Sequence, residues 1–268
     1  EDIFDKFEEM VFAGHPLSGN ILGTVASVKK INRDELLKFV KEKFRPEKMA
    51  FSIVADIDEK KLEKEAQKLC KQYFADCPAA EPNSEPQKVE HTYVPFDKTL
   101  SKRNHQANCI IGGLAPSLYQ ERERLATILL CNILGGPATN SILNSVLREK
   151  HGWVYGVECS YTQFADTGLV AISLGCDKSN LDKCIKAVGA EIAKLQAEPL
   201  SERKLKAAKK QLLGQLAVSG DNGETQCLSM GKSLLAYGKI TGGKETKALI
   251  DGITAEDVQE MARTIVNP

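Results

Sequence analysis

The sequence predicts an α+β protein of two domains, and three observations carry that prediction. Two strand-like segments, 152–164 and 168–176, are joined by the turn Ala-Asp-Thr-Gly, which is typical of a β-hairpin. Helical patterns then follow one another over 179–266 without alternating strands, which favours α+β over repeated βαβ units. The chain of 268 residues is long enough for two modest domains, and the segment 77–87, with three prolines and no periodicity, separates two apolar patterns.

The domain boundary is predicted at this proline-containing segment. Residues 1–77 form the end of a first domain, residues 78–87 the linker, and residues 88–268 a second domain. Glu1 opens directly inside an amphipathic helical pattern, without a capping residue before it. We therefore expect a longer first domain that is truncated in this chain.

The first predicted domain combines helices with one strand. Residues 32–46 show a helical pattern that begins near a polar cap and stops at a proline, and residues 58–74 show another. Between them, the apolar run 49–57 predicts a strand that is buried on both faces.

The second predicted domain begins with strands and ends with helices. Strand-like runs at 92–96 and 106–116 come first, followed by helical patterns at 118–134 and 140–150. The apolar stripes of the later helices need a sheet face to cover them, which an α+β arrangement supplies. These later helices are predicted, after the hairpin, at 179–197, 201–219, 224–237, 243–251 and 254–266.

Composition and charge restrict the classes of partner. The chain is 42% hydrophobic, and 36 basic residues balance 36 acidic ones, so no overall field attracts nucleic acid or an anionic membrane. No apolar run approaches the roughly 20 residues that a membrane-spanning helix needs. The sequence therefore predicts neither a nucleic-acid partner nor a membrane partner.

The cysteines indicate a reducing compartment. None of the eight forms a Cys-x-x-Cys pair, and several lie inside apolar strand or helix patterns. Such a pattern in a chain of this size favours buried free thiols over disulfides, and hence the cytoplasm. A thiol-bearing periplasmic protein stays open as an alternative.

The histidines do not form a recognisable metal motif. His15, His91, His105 and His151 are all more than five residues apart, and neither a helical His pair nor a Cys2His2 spacing is present. His15 belongs to a Gly/Pro-rich loop and His105 begins an apolar strand, so both are interpreted as structural. There is also no Gly-x-Ser-x-Gly nucleophile elbow. We expect this chain to bind no metal by itself.

Arg148 and Tyr155 flank a sharp corner between the helical pattern that ends at Gly152 and the aromatic strand that follows. From the residue types alone, Arg148 is a solvated helix-end residue and Tyr155 a strand aromatic. A spacing of seven residues across such a corner is not by itself a functional signature.

A longer series of motifs surrounds this pair. Residues 134–168 contain a Gly-rich loop, a Ser-x-Leu helix start, an Arg-Glu-Lys triplet, a glycine, a tyrosine seven residues after the arginine, and an Asp-x-Gly turn. In that order they resemble the second-domain signature of the pitrilysin-type zinc peptidases, the group of insulin-degrading enzyme and the mitochondrial processing peptidases. Segments 14–24 and 44–58 resemble the end of the first domain of that family. The matching residues of the second domain are Gly135, Gly136, Ser141, Leu143, Arg148, Glu149, Lys150, Gly152, Tyr155, Asp166 and Gly168.

The resemblance implies two related domains, each a largely antiparallel sheet packed by helices, in a zinc metallopeptidase. Family members hold Zn²⁺ through an inverted motif, His-x-x-Glu-His, and a further glutamate. By the family's order all three ligands would precede Glu1. Zinc is therefore expected in the intact protein and not in this chain, which is predicted to be inactive alone.

The resemblance also assigns roles to the corner residues. It implies that Tyr155 hydrogen-bonds the scissile carbonyl oxygen as it becomes an oxyanion, and that Arg148 binds the substrate backbone. The implied substrate is a peptide or unfolded polypeptide, cleaved inside a closed chamber. A homodimer or a peptidase-like partner subunit would be in keeping with the family.

Two other functions stay open at this point. A non-catalytic family member would serve as a structural or partner subunit, although the retained Arg148 and Tyr155 favour an active enzyme. A pure peptide-binding module would add its ligand as a strand at an exposed sheet edge.

Overall fold

The structure, a computed structural model, describes residues 2–74, 93–103 and 105–265. The chain divides into two compact units. Residues 1–22, 86–213 and 247–268 form one, here called the sheet unit, and residues 23–85 and 214–246 form the other, called the helical unit. The strands are β1 (Gln106–Ala115), β2 (Val154–Gln163) and β3 (Gly168–Asp177). The helices are α1 (Asp2–Val11), α2 (Val25–Lys30), α3 (Arg33–Lys43), α4 (Glu59–Phe74), α5 (Glu121–Gly135), α6 (Leu181–Ala197), α7 (Glu202–Gly220), α8 (Gly223–Tyr237), α9 (Gly243–Asp251) and α10 (Ala255–Ile265).

An antiparallel sheet of order β1-β3-β2 organises the sheet unit. The predicted hairpin is β2 and β3, which pair from Gln163 opposite Gly168 up to Val154 opposite Cys176. Gly168 is required at the turn, because a Cβ atom there would lie 2.3 Å from the carbonyl oxygen of Pro116. The predicted α+β class, with an antiparallel sheet packed by helices, is confirmed.

One face of the sheet carries the main core. Alternate residues of β3 point to this face, and Val170 and Ile172 are almost completely buried against α5, α6 and α10. From α5, Leu129, Leu130 and Leu134 fill the same layer. Burial of a large aliphatic side chain contributes about 1.5–3 kcal/mol, so this layer is the main source of stability in the unit.

Helix α1 covers one end of the opposite face of the sheet. Phe7, Val11 and Phe12 pack on Leu169 and Ala171 of β3, the other side of the same strand. Because both faces of β3 are covered here, its sequence is apolar without alternation. At the other end of this face, toward the start of β2, Ile3 and Phe4 of α1 lie at the edge of an open space above Gly156 and Gly175.

The strand predicted at 49–57 is wrong. In the structure this segment has no strand pairing. The described residues of the helical unit contain no strand with which it could pair. It packs instead on α8, where Ser52 Oγ donates a hydrogen bond to the carbonyl oxygen of Cys227 over 2.8 Å. An apolar run becomes a strand only when a neighbour supplies the hydrogen-bond ladder.

The strand predicted at 92–96 also fails over residues 93–96, which show no strand pairing. Pro95 lies in this run and removes a backbone donor from any ladder. The predicted linker 78–87 lies outside the described residues, so the boundary between domains at 77 and 88 stays a prediction. Over the ranges that the structure describes, no helix is long and apolar enough to span a bilayer.

The described cysteines are all free thiols. Desolvation by burial raises the pKa of Cys109 to about 11 and that of Cys176 to about 11. The pKa of Cys131 is raised as well, first by a hydrogen bond with Cys159 and then by burial. These thiols are therefore protonated at neutral pH and are poor nucleophiles.

Candidate functional site

The corner at Gly152 is built from a π-helical turn and a C-terminal cap. The segment Asn144–Lys150 is π-helical, a form that often occurs at functional sites. The N–H of Gly152 donates to the carbonyl of Arg148, and the N–H of Trp153 donates to the carbonyl of Leu147, each over 2.9 Å. The bond from Gly152 to Arg148 is that of an αL cap, in which Gly152 lies in the left-handed region with φ of +61°. Glycine is required at this corner for that reason.

Arg148 lies on the outside of this turn with an exposed side chain. Within the part of the chain that the structure describes, its guanidinium makes neither a hydrogen bond nor an ion pair. A planar guanidinium presents five donors, and it binds carbonyl and carboxylate oxygens well. The residue types predicted a solvated helix-end arginine, and Arg148 is exposed at that position in the structure.

Tyr155 is the extra residue of a β-bulge. Val154 pairs with Cys176 and Gly156 with the adjacent Gly175, so Tyr155 has no opposite residue on β3. Bulges redirect side chains, and Tyr155 is 57% exposed. The glycine that follows the tyrosine was the available sequence signal for this bulge.

The phenol of Tyr155 has a partner that the sequence did not predict. Its O–H donates to Oδ1 of Asp177 over 2.8 Å, at the far end of β3. That hydrogen bond is the main cause of a raised pKa for Tyr155, and desolvation raises the pKa further. At neutral pH the group is therefore a neutral phenol with a proton to donate. A substrate oxygen would have to replace Asp177 as the acceptor.

A buried polar pair joins two segments that are 151 positions apart. His15 is 5% exposed, and its Nε2 lies 3.0 Å from Oδ2 of Asp166 in the hairpin turn. Its Nδ1 accepts a hydrogen bond from the N–H of Leu17 over 3.1 Å. In the neutral ring Nε2 therefore carries the proton and donates to Asp166. The sequence indicated a shaped loop at His15, and the structure adds its partner.

The described residues do not offer a zinc site. None of their His, Cys, Asp and Glu side chains assemble into a group of three or more that could hold a metal ion. His91 lies outside the described residues. The resemblance implies zinc for the intact protein, but the described residues of this chain do not provide a set of ligands that fits the ion.

Fold and corner together define a domain of the pitrilysin-type peptidase class. The family model described as the peptidase M16 inactive domain matches residues 30–212, which is more than half of the chain. The chain belongs to this family.

Relatives carry the name zinc protease. An "Uncharacterized zinc protease" of Rickettsia bellii is 27% identical over 264 residues, which cover 98% of this chain and 62% of the relative. The "Uncharacterized zinc protease YmxG" of Bacillus subtilis is 23% identical over 266 residues, again 98% of this chain and 62% of the relative. The chain thus spans less than two thirds of the length of these relatives.

Solved structures share the fold. The peptidase M16 inactive domain from Pseudomonas fluorescens superimposes with a TM-score of 0.75 at 18% identity, covering 98% of this chain and 62% of the other. A chain of complex III2 from Candida albicans gives a TM-score of 0.74 at 19% identity, covering 99% of this chain and 63% of the other. At these identities the likeness supports the fold alone.

Proposed function

We propose that this chain is the substrate-binding, oxyanion-stabilising part of a zinc-dependent metallopeptidase that hydrolyses peptide bonds in a closed chamber. One observation carries the proposal. A guanidinium at Arg148, which has no partner among the described residues, and a neutral phenol at Tyr155 are both exposed around the corner at Gly152. The two groups match the needs of peptide hydrolysis, because the substrate backbone must be held and its carbonyl oxygen must be stabilised as it gains charge.

Tyr155 acts as the donor to the developing oxyanion. In the free protein its O–H donates a hydrogen bond to Oδ1 of Asp177 over 2.8 Å. The oxygen of a tetrahedral intermediate carries a full negative charge and competes well with an exposed carboxylate for one donor. The raised pKa of Tyr155 keeps the proton on the phenol, so the group stabilises charge by hydrogen bonding and not by proton transfer.

Arg148 binds the backbone of the substrate. Its guanidinium has no partner to give up within the described residues, so binding a peptide carbonyl there does not break an existing ion pair. Such a contact is present in the ground state and in the transition state alike. It lowers KM and leaves kcat nearly unchanged.

Steady-state kinetics on the full-length protein test this proposal. Tyr155→Phe removes one hydroxyl, and we expect kcat to fall by about 100- to 1,000-fold with an unchanged metal content. Arg148→Ala is expected to act mainly through KM. Matched controls are Tyr73→Phe and Arg203→Ala, which alter an exposed phenol and an exposed guanidinium outside the corner. Wild-type turnover in the Tyr155 variant would contradict the proposed role.

A non-catalytic subunit is the second candidate function. It is favoured by the likeness to a chain of complex III2 and by the description of the matching family as an inactive domain. In that case the full-length protein would cleave no peptide and would co-purify with a peptidase-like partner or with a second copy. Turnover that depends on Tyr155 would exclude this candidate. The free thiols agree with the predicted cytoplasmic location, which stays a proposal.

A further inference from the structure

Asp177 is the last residue of β3, and its side chain is exposed. The phenol of Tyr155 reaches its Oδ1 atom from the neighbouring strand β2 over 2.8 Å. The contact thus joins the two strands of the hairpin at the end of the sheet that carries the corner at Gly152.

The carboxylate of Asp177 does not have the local role that is usual for an aspartate at its position. It directly precedes the short helical turn Lys178–Asn180, and an aspartate there commonly accepts hydrogen bonds from the first backbone N–H groups of the turn. Its side chain makes no such capping bond. Within the described ranges of the chain, its contact is the hydrogen bond from Tyr155. The position of this carboxylate is therefore explained by the phenol and not by the turn.

Tyr155 depends on this bond for the position of its hydroxyl group. It is the unpaired residue of a bulge and is 57% exposed, so packing holds its ring only in part. A phenol has a single O–H and donates to one acceptor at a time. Asp177 and a substrate oxygen therefore compete for the same proton.

The possible acceptors differ in charge, and hence in the strength of the bond they accept. A carboxylate accepts a stronger hydrogen bond than a neutral carbonyl group does. The carbonyl oxygen of a bound peptide therefore does not displace Asp177 while it is uncharged. Once that oxygen becomes an oxyanion, it is an equally charged acceptor, and water solvates the exposed carboxylate that is released.

We propose that Asp177 is a positioning residue that withholds the phenol of Tyr155 from the neutral substrate and releases it to the oxyanion. The inference rests on the proposed function, in which Tyr155 stabilises that oxyanion. A donor that is not given to the ground state adds nothing to substrate binding, so its contribution is confined to the transition state. The bond to Asp177 has to be broken for this, which removes part of the stabilisation that Tyr155 supplies.

Steady-state kinetics of the full-length protein test the role of Asp177. Asp177→Asn keeps the shape of the side chain and removes its charge. We expect KM to fall, because the phenol becomes free to bind the neutral carbonyl group. We expect kcat/KM to rise by about two- to fivefold, because a weaker, neutral bond is broken on the way to the transition state. Asp182→Asn, which makes the same change at an exposed carboxylate of α6, should leave both constants unchanged.

A double-mutant cycle shows whether Asp177 acts through Tyr155. In the Tyr155→Phe background, Asp177→Asn should have no effect on kcat/KM, because the hydroxyl group for which it competes is absent. A gain of the same size in that background would come from the charge alone and would overturn the inference. An unchanged or lower kcat/KM in Asp177→Asn itself would overturn it as well.

NMR of the chain with ¹³C-labelled tyrosine tests the contact without any activity. The Cζ signal of Tyr155, assigned by its loss in Tyr155→Phe, is followed as the pH is raised. The hydrogen bond with Asp177 is the main cause of the raised pKa of Tyr155, followed by desolvation and, more weakly, by the thiol of Cys176. Asp177→Asn should therefore lower the pKa of Tyr155, and Asp182→Asn should not change it. An unchanged pKa in Asp177→Asn would overturn the contact and the inference with it.

The two readouts separate this inference from the peptidase proposal. Loss of turnover in Tyr155→Phe, without a gain in Asp177→Asn, would support the peptidase proposal and overturn the role of Asp177. Wild-type turnover in Tyr155→Phe would overturn the proposed function, and the NMR titration would still decide whether Asp177 holds the phenol in the free chain.

Discussion

The helices of the sheet unit and of the helical unit form equally well from local signals, but their apolar side chains are buried to very different degrees. Helix α3 of the helical unit has a complete capping box between Asn32 and Glu35. Its apolar residues Leu36, Leu37 and Phe39 are nevertheless 54%, 51% and 53% exposed. In the sheet unit α5 lacks a side-chain cap, yet its core leucines are at most 1% exposed. Local signals thus form a helix, and only a facing surface makes it part of a core.

The largest difference between the units is expected from one substitution made in each. Ile172→Ala removes a side chain that is 0% exposed in the sheet unit, and should lower the free energy of unfolding by about 2–5 kcal/mol. Ile31→Ala removes the same atoms from a position that is 53% exposed in the helical unit, and should cost about 1 kcal/mol or less. Urea unfolding followed by circular dichroism measures both. Equal losses in the free energy of unfolding would show that the two isoleucines do not differ in their contribution to stability as their burial predicts.

The polar pair of the sheet unit should have an intermediate effect. His15→Ala removes a buried imidazole whose Nε2 lies 3.0 Å from Oδ2 of Asp166, and the free energy of unfolding should fall by about 1–3 kcal/mol. Asp166→Asn and the double variant complete a double-mutant cycle that isolates the contact. Strict additivity of the two single variants would mean that His15 and Asp166 stabilise the unit independently.

The smallest effect is expected at the surface of the sheet unit, where Arg122 forms a bidentate pair with Asp257. The two bonds measure 2.8 and 2.9 Å, but Arg122 is largely exposed. Burial alone would raise the pKa of Asp257, and the hydrogen bonds from Arg122 and Thr254 outweigh it, so the pKa is lowered. Arg122→Ala should therefore lower the free energy of unfolding at pH 7 only slightly, and by less than His15→Ala does.

The direction of the pH dependence follows from the lowered pKa of Asp257. A carboxyl group whose pKa is lower in the folded state stabilises the fold above its unfolded pKa of about 3.9, and the effect is lost as the pH falls through the folded value. The stability difference between Arg122→Ala and the wild-type chain should therefore shrink as the pH falls from the unfolded pKa through the folded one. Urea unfolding at a series of pH values below 4, compared with pH 7, measures this, and a constant difference would contradict the assignment.

The hairpin and the helices were predictable because their signals are local. The Ala-Asp-Thr-Gly turn identified β2 and β3, and apolar periodicity identified α5 to α10. The run 49–57 was mistaken for a strand because strand formation depends on a neighbour, which no single segment reveals. The strand predicted at 92–96 could have been rejected from the sequence, because Pro95 has no backbone N–H to donate to a ladder.

The site was predictable in its residues and not in its contacts. The motif series gave Arg148 and Tyr155 as candidates, whose roles stay a proposal, and Gly152 marked the corner. The acceptor of Tyr155 is Asp177, 22 positions away, and no spacing rule connects a bulge on β2 with the end of β3. The contact between His15 and Asp166 was not predicted for the same reason, because the two residues are 151 positions apart in the sequence. Each of them was explained by its own loop or turn.

The rate at which the buried free cysteines react with a thiol reagent reports how often the core opens. Cys70 in the helical unit is exposed, whereas Cys131, Cys159, Cys176 and Cys184 in the sheet unit are buried. A thiol reagent will modify Cys70 from the native state, but it must wait for the buried thiols until the layer around them opens. Mass spectrometry of the labelling time course will thus record how often the core of the sheet unit opens, with Cys70 as the reference for an accessible thiol.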